Sequence, residues 1–403
     1  MLNKITHGLL LLLLLELFLG GGGRLTAIGP ISLRMILFSA AMVVTLIHIA
    51  KGAQIDKKYL NLMGLFTMML IIGVAIGFIV GAEKKMLWED VKPLLFFYLL
   101  PFFSIAISKE GDLNKIARII LYTAGVMAFL FLSILILFWS GAIKVIDFYN
   151  FTNTTGEFFF RGEFTLFYKG FIYLCIGFLF AHLMGEKKHR WLLPILAAAI
   201  VLSFTRGLIF ALGLSYSVYY FFIKRSYQTT IAALIVCLFI GIYGGKFYTL
   251  LSKQLYSVLF IEDLPPGHER IKEELLGDRK FSDNERKRQF IQVASAATLP
   301  TAVWGHGFGT GVESRPVHME ISYLEIFHKQ GIIGIACWLI ILFSLVKSYR
   351  SLPVKSGLSN AFFLSALFVF FQSLTNQYIN NPIGLGMILI SMVSLDVTLK
   401  KNL

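Results

Sequence analysis

Apolar runs separated by short polar segments make up most of this chain, and their lengths predict its fold. A helix that crosses the hydrocarbon layer of a membrane, which is about 30 Å thick, needs about 20 mainly apolar residues. Twelve runs of roughly that length are bounded by charged residues, Gly or Pro. They predict twelve membrane helices, at 5–19, 31–50, 60–80, 91–107, 116–139, 164–184, 191–204, 207–223, 229–242, 331–346, 358–372 and 382–399.

The longest polar interruption in this pattern runs from 246 to 330 and contains charged residues, His, Pro and Gly. It divides the chain into 1–245 with helices 1–9, the loop 246–330, and 331–403 with helices 10–12. The expected fold is therefore an all-α polytopic membrane protein, with about twelve transmembrane helices and one large helical outside loop. Because such a loop can meet water-soluble groups at the membrane surface, we expect the chemistry there.

Composition supports membrane insertion, since 57% of the residues are hydrophobic and only 15% are charged. The net charge of +14 would suggest a nucleic-acid partner in a soluble chain. Here Lys and Arg collect in short loops beside apolar runs, as they do in membrane proteins, so we expect no nucleic-acid binding. The three cysteines lie inside apolar runs without CxxC spacing and are expected to be core residues. They are Cys175, Cys237 and Cys337.

The distribution of basic residues predicts the orientation, because short cytoplasmic loops retain Lys and Arg. With Lys4 inside, the basic residues fall mainly on alternate loops, with Lys84 and Lys85 as the clearest exception. Both termini are then cytoplasmic, and the large loop faces the periplasm of a Gram-negative cell from its inner membrane. No small-residue cleavage site follows Leu19, so the first apolar run is expected to be a retained helix and not a signal peptide.

Two cationic features lie at predicted outside positions. Arg206 stands in a tight turn between two apolar runs, where an arginine is costly unless it faces water, a cavity or an anion. A guanidinium stays charged and its fork of donors matches phosphate oxygens, but a snorkelling or helix-capping arginine is the alternative. The second feature is a basic group in the large loop, for which a solvated face or an interfacial anchor is the alternative. It comprises Arg279, Lys280, Arg286, Lys287 and Arg288.

A glycine-rich segment follows, with Gly305, Gly307, Gly309 and Gly311 at alternate positions. Such spacing suits close backbone approach or positive φ, and exposed amides could accept an anion. An ordinary surface turn explains the glycines equally well. The segment is not a dinucleotide-binding fingerprint, because neither a preceding strand nor a βαβ unit is predicted.

The segment 320–330 leads into the tenth predicted span. Tyr323, Leu324 and Phe327 recur at helical spacing, which predicts an amphipathic helix lying at the membrane interface. His318 and Glu320 lie at its N-terminal end, where the helix dipole favours a carboxylate. Either residue could be a solvated surface group. Beside a glycine-rich loop, both are also candidates for a general base.

These motifs together resemble the O-antigen ligases and O-antigen polymerases, membrane glycosyltransferases that use polyprenyl-pyrophosphate-linked glycans. The resemblance is carried by the turn Thr205-Arg206-Gly207, by the loop arginines ahead of the glycine-rich segment, and by Tyr323-Leu324 running into 331–334. It covers roughly 160–342, and the order of the motifs and the number of helices also agree.

The resemblance implies roles for particular residues. Family arginines hold the donor pyrophosphate, and Arg206 looks like the first of them, with Arg288, or failing that Arg286, as the loop arginine. A family histidine activates the acceptor hydroxyl. Alignment on Tyr323-Leu324 puts Glu320 at the usual histidine position and His318 two residues earlier, so the identity of the base stays open.

Because the ligases generally keep that histidine, the departure favours a polymerase, which joins repeat units carried on polyprenyl (undecaprenyl) pyrophosphate. We expect inverting transfer at the periplasmic face, with the pyrophosphate held by Arg206, Arg288 and Arg161. The expected partners are lipid-linked donor and acceptor glycans, membrane lipid and a chain-length regulator protein. No Asp-x-Asp motif occurs in the loop, so no metal or cofactor is expected. The alternatives are an O-antigen ligase acting on lipid A core, and a transporter or flippase of lipid-linked glycan.

Overall fold

The computed structural model describes residues 1–29, 31–161, 165–236, 239 and 279–401. The first part of the predicted loop, at 246–278, therefore lies outside the described residues, and its remainder, at 279–330, is described. The chain forms two compact units. The first comprises Met1–Leu14, Leu33–Ile116 and Asp283–Leu403, and the second comprises Leu15–Ser32 and Ala117–Ser282.

Helices make up most of the described chain. They are α1 Leu2–Leu19, α2 Leu33–Ala50, α3 Lys57–Val80, α4 Lys84–Leu94, α5 Leu100–Ala106, α6 Glu110–Trp139, α7 Val145–Thr152, α8 Ile172–Leu183, α9 Leu192–Leu202, α10 Arg206–Val218, α11 Tyr227–Val236, α12 Arg279–Ala296, α13 Leu299–Trp304, α14 Ser322–Arg350, α15 Gly357–Gln372 and α16 Pro382–Lys401.

Seven helices in the described part of the chain are long and apolar enough to cross a membrane: α1, α2, α3, α6, α14, α16, and Arg206–Ile223, where a short π-helical turn extends α10. Shorter apolar helices cover Lys169–Leu183, Tyr227–Val236 and Gly357–Gln372. The predicted class, an all-α polytopic membrane protein, is confirmed. The ninth predicted span, 229–242, corresponds to α11, and its residues beyond Val236, apart from Phe239, lie outside the described part.

The fourth predicted span, 91–107, is not one continuous helix. α4 ends at Leu94, a 3₁₀ turn covers Leu95–Leu99, and α5 then runs over Leu100–Ala106. Pro93 and Pro101 lie at these junctions, and a proline removes one helical hydrogen bond and clashes with the preceding turn. Asp90, a buried polar residue, lies in α4 just before this break.

The sixth predicted span, 164–184, is also helical only in part. Its first residues form strand β4 Thr165–Tyr168, which pairs antiparallel with β3 Phe158–Arg161. A separate short antiparallel pair is formed by β1 Ala27–Ile28 and β2 Ile31–Ser32. Aromatic and β-branched residues favour this extended pairing. The helix that follows, α8, therefore begins only at Ile172.

The core of the first unit surrounds α16, which is buried along almost its whole length. The ring of Phe66 on α3 stacks on Phe97 with centroids 4.1 Å apart, and Trp338 of α14 meets Phe66 edge-on at 5.7 Å. Asp396 of α16 pairs with Lys58 at 2.7 Å and accepts a hydrogen bond from Tyr59. This carboxylate is thus a satisfied structural charge.

In the second unit, Glu157 fixes the turn after α1 by accepting hydrogen bonds from the amides of Gly22 and Arg24 at 2.6 and 3.1 Å. Thr165 of β4 donates to the Leu202 carbonyl at the end of α9. Cys175 is buried in this unit and Cys337 in the first, as expected for core residues. Cys237 lies outside the described residues.

Candidate acid–base site

A buried charged cluster lies within the first unit, where α4 meets the N-terminal half of α14. The ammonium of Lys329 lies 2.6 Å from Asp90 Oδ1 and 2.7 Å from Glu325 Oε1, and it also donates to the carbonyl of Val317. The three charged side chains are at most 5% exposed. Charges this deeply buried persist only when they are paired and hydrogen-bonded, and here one cation serves two carboxylates.

The second oxygen of Glu325 is held from the other side by the turn that follows α15. Gln377 Nε2 and Asn380 Nδ2 donate to Glu325 Oε2 at 2.5 and 2.7 Å. The turn is itself attached to α14, because the Ser322 hydroxyl contacts the Asn376 carbonyl and the Asn380 side chain. Glu325 is therefore oriented by fixed donors, as a carboxylate that positions another group must be.

The glycine-rich segment is hydrogen-bonded to the backbone and side chains of this cluster. The amides of His306 and Gly307 donate to the carbonyls of His328 and Lys329 at 2.8 and 3.0 Å. The Phe308 amide donates to the Gly73 carbonyl, and the Gly309 amide donates to Asp90 Oδ2 at 2.7 Å. These four amides are thus committed to protein acceptors, and the expectation that they could accept an anion is not supported. Their role is to hold Lys329 and Asp90 in place.

Glycine is required in this segment for steric reasons. Gly305, Gly307 and Gly309 have φ of +80°, +86° and +79°, which side chains rarely adopt. A Cβ on Gly307 would overlap the backbone of Gly77 in α3. The prediction of close backbone approach and positive φ is confirmed.

His318 lies at the exposed edge of the cluster. Its Nδ1 is 3.3 Å from Glu325 Oε1 and 3.5 Å from Asp90 Oδ1, while the side chain is 44% exposed. Within the described residues, Nε2 has no hydrogen-bond partner. A carboxylate that accepts from Nδ1–H fixes the imidazole tautomer with Nε2 as an acceptor, which is the arrangement of an oriented general base.

Two pKa values near the site respond to burial. Burial raises the pKa of Asp90, since the charge of Lys329 offsets only part of the cost of desolvating the carboxylate. Burial lowers the pKa of His306, and the hydrogen bond to the Ala296 carbonyl opposes that shift only partly. Asp90 can therefore hold a proton more readily than an exposed aspartate, and His306 is mainly neutral at neutral pH.

Glu320, the other candidate for the base, is held by two arginines. Arg286 Nε donates to Oε2 at 2.9 Å, and Arg315 Nη2 donates to Oε1 at 3.0 Å. Each carboxylate oxygen is thus engaged by a guanidinium. His318 and Glu320 therefore have different surroundings although they are only two residues apart.

The predicted arginines occupy different places. On α12, Arg286 faces the site and is 31% exposed, whereas Arg288 is 66% exposed and pairs only loosely with Glu285 at 3.6 Å. Arg206 and Arg161 belong to the second unit. Arg206 is the first residue of α10, after the positive φ of Phe204, and Arg161 ends β3. The structure brings His318, Glu320 and Arg286 together in the first unit, and the predicted joint clamp with Arg206 and Arg161 stays a prediction.

The helix expected ahead of the tenth predicted span is present, but it begins later than expected and continues into that span. α14 begins at Ser322, so His318 and Glu320 precede it, and it kinks at Gly331, where φ is +63°. Glu325 and Lys329 are on its buried face, while Tyr323, Leu324 and Phe327 are only half-buried. The polar side of this helix, and not its aromatic stripe, thus builds the site.

The cluster also has the ligand types of a metal site. One ligand atom each from Asp90, His318 and Glu325 lies within 4.8 Å of the others. The Lys329 ammonium already contacts both carboxylates, so a divalent cation would have to displace it. By donor type the residues fit a metal, but the buried lysine disfavours one electrostatically.

Three functional candidates escaped sequence reasoning: Asp90, Glu325 and Lys329. Asp90 is 239 positions from Lys329, and the Gly309 amide, which is 219 positions away in sequence, also binds it. The pairing of Glu325 with Lys329 could have been predicted from the sequence. The two residues are four positions apart in a helix, where side chains of opposite charge meet.

The helices and the acid–base site define a polytopic membrane protein with one carboxylate-supported histidine at the edge of its charged cluster. No family model matches the chain. The chain is similar to the O-antigen polymerase of Shigella flexneri, with 26% identity over 414 residues that cover 100% of this chain and 98% of the relative. This similarity along both chains supports the O-antigen polymerase family, the family that the sequence motifs resemble.

Proposed function

We propose that this protein is an O-antigen polymerase, a glycosyltransferase that joins polyprenyl-pyrophosphate-linked repeat units at the periplasmic face of the inner membrane. The similarity to the Shigella flexneri polymerase supports the reaction class. The observation that supports the chemistry is His318, whose Nδ1 faces Glu325 and Asp90 while its side chain remains accessible to solvent. The reaction needs a proton acceptor beside a diphosphate-binding group, and His318 and Arg286 are the proposed residues for these two roles.

In the proposed step, Nε2 of His318 accepts the proton of the acceptor sugar hydroxyl. The hydroxyl oxygen attacks the anomeric carbon of the donor, a new glycosidic bond forms, and the bond from that carbon to the diphosphate oxygen breaks with its electron pair. Direct displacement inverts the anomeric centre. The imidazolium is stabilised by Glu325 and Asp90, and the diphosphate leaves towards the guanidinium of Arg286.

Between the two bases considered, the geometry favours His318, because both oxygens of Glu320 already accept from guanidinium groups. Between the two loop arginines, it favours Arg286, which lies beside the site, over the exposed Arg288. Arg206 and Arg161 remain proposed contributors of the second unit to diphosphate binding. The reaction is proposed to need no metal, since Lys329 supplies the positive charge between the carboxylates.

The test is polymer formation by purified full-length protein in liposomes with a lipid-linked repeat unit. We expect His318→Ala to lower the rate by about 10²–10⁴-fold, the usual contribution of a general base. Glu325→Gln should lower the rate with little change in the apparent KM, because it acts through the imidazole. Full activity of a well-folded His318→Ala protein would refute the assigned base, and transfer only to lipid A core would identify a ligase.

A further inference from the structure

The carboxylate of Glu320 lies between two guanidinium groups from separate elements. Arg286 comes from α12 and binds Oε2, while Arg315 comes from the turn closed by the Val312 and Arg315 backbone pair and binds Oε1. All three side chains remain partly exposed, and two guanidinium groups bind the same carboxylate. Guanidinium groups that water can reach can also bind a more strongly charged anion.

We propose that Arg286 and Arg315 form a diphosphate-binding seat, and that Glu320 is an exchangeable internal counter-ion that fills this seat until the donor diphosphate displaces it. The inference rests on the proposed function and adds Arg315 and a role for Glu320. Carboxylate and phosphoryl oxygens present similar acceptors to a guanidinium, so the same donors can bind either. A diphosphate carries more charge than one carboxylate and therefore competes effectively.

The backbone around the seat is held in place by hydrogen bonds to α12, although the charged side chains of the seat can exchange partners. The Glu320 amide donates to Gln289 Oε1 at 3.0 Å, and the amide and hydroxyl of Ser314 donate to Gln292 Oε1 at 3.2 and 2.8 Å. Behind these contacts, Val293 packs against a small apolar cluster with Val312 and Met319. Positions 286, 289 and 293 lie on one face of α12, which is why Arg286 points into the seat and Arg288 does not.

The seat shares its backbone segment with the proposed base. His318 follows Arg315 by three residues and precedes Glu320 by two, so the Cα atoms of Arg315 and His318 are at most about 11 Å apart even in an extended chain. A donor held through its diphosphate on Arg315 and Arg286 would thus present its anomeric carbon within reach of a hydroxyl bound at His318. Displaced Glu320 remains at a partly exposed position, where its charge is solvated at low cost.

The seat predicts an unusual effect of neutralising an acidic residue. Glu320→Gln removes the competing anion but keeps a side chain of the same shape, so inorganic pyrophosphate should bind about fivefold more tightly, as expected for two partly exposed ion pairs. Arg315→Gln removes a charge-assisted contact and should weaken binding about tenfold or more. Lys287→Gln, an exposed neighbour with the same change of charge, is the matched control and should leave the affinity unchanged.

The affinities are measured by titration calorimetry on the purified full-length protein in detergent without divalent ions, after each variant has given the native melting curve. An affinity of Glu320→Gln that is equal to or weaker than that of the native protein would overturn the counter-ion role. Native affinity in Arg315→Gln would overturn the seat. Geranylgeranyl diphosphate should follow the same order of variants and bind more tightly than inorganic pyrophosphate, and its failure to bind would overturn the assignment to a lipid-linked donor.

This test is separate from that of the proposed function. If the variants bind pyrophosphate equally while His318→Ala still abolishes polymer formation, the seat is wrong and the polymerase assignment stands. If the predicted order of affinities holds but no variant of His318 affects transfer, the seat stands and the proposed base is wrong.

Discussion

Replacing Lys329 with methionine is the sharpest test of the buried cluster. Methionine keeps much of the length and apolar surface of lysine but removes the ammonium that contacts Asp90, Glu325 and the Val317 carbonyl. Two buried carboxylates would then face each other without their shared cation. We expect a large loss of stability from this single substitution.

The size of the loss follows from the burial of the cluster. Removing one partner of a buried ion pair typically costs about 3–5 kcal/mol, because it leaves an uncompensated charge in the interior. Proton uptake by one carboxylate limits this cost, since raising a carboxyl pKa from about 4 to 7 costs about 4 kcal/mol. Both routes give a loss of about 4 kcal/mol in the free energy of unfolding at neutral pH.

The same substitution at Lys58 is the control. Lys58 pairs with Asp396 at 2.7 Å, but its side chain is 29% exposed, and Tyr59 continues to donate to Asp396 when the lysine is lost. Lys58→Met should therefore cost only about 1 kcal/mol, as a partly solvated pair does. Unfolding of the purified protein by titration with SDS gives both free energies.

A double-mutant cycle assigns the effect to electrostatics. Asp90→Asn should cost less in the Lys329→Met background than in the native protein, because it then removes one of two repelling carboxylates. Equal stability losses for Lys329→Met and Lys58→Met would refute the shared-cation description. So would strictly additive costs of Lys329→Met and Asp90→Asn.

Three further predictions concern the surroundings of the cluster. Gly307→Ala should reduce folded protein strongly, because its Cβ would overlap the backbone of Gly77, whereas Gly81→Ala, at a similar positive φ but with open space around it, should cost only about 1–2 kcal/mol by thermal unfolding. Arg286→Gln should lower polymer formation about tenfold or more through loss of a charge-assisted contact. Arg288→Gln should have a smaller effect in the same liposome assay, and the reverse order would restore Arg288 as the diphosphate ligand. EDTA should leave the rate unchanged, and a loss restored by a divalent ion would contradict the metal-free mechanism.

The sequence predicted the fold well where the signal is local. Every predicted span contains a helix in the described residues, and seven of these helices are long and apolar enough to cross a membrane. Two predicted spans are not continuous helices, and both interruptions also have local causes. Prolines break the fourth span at Pro93 and Pro101, and aromatic residues pair as the hairpin of β3 and β4 ahead of α8. Hydropathy does not distinguish an apolar strand from the start of an apolar helix.

The site was only partly predictable because its charges meet through tertiary contacts. His318, Glu320 and Arg286 were recognisable from residue type and position. Their roles were not, because sequence does not reveal that two guanidinium groups bind Glu320 or that carboxylates support His318. In the segment 320–330, the apolar pattern indicated an amphipathic helix, but it did not indicate that Glu325 and Lys329 are buried as an ion pair.

The glycine-rich segment illustrates how a motif can position the residues of a candidate site through backbone contacts alone. Its alternate glycines let the chain lie against α3, and this brings the Gly309 amide to Asp90 and the Gly307 amide to the Lys329 carbonyl. Asp90 and Lys329 in turn set the charge around His318. In the fraction of Gly307→Ala protein that still folds, activity should therefore change through the position of the proposed base, and the loss should appear in the transfer rate before it appears in diphosphate affinity. The seat of Arg286 and Arg315 is held by hydrogen bonds to Gln289 and Gln292 of α12, which do not involve the amides of Gly307 or Gly309.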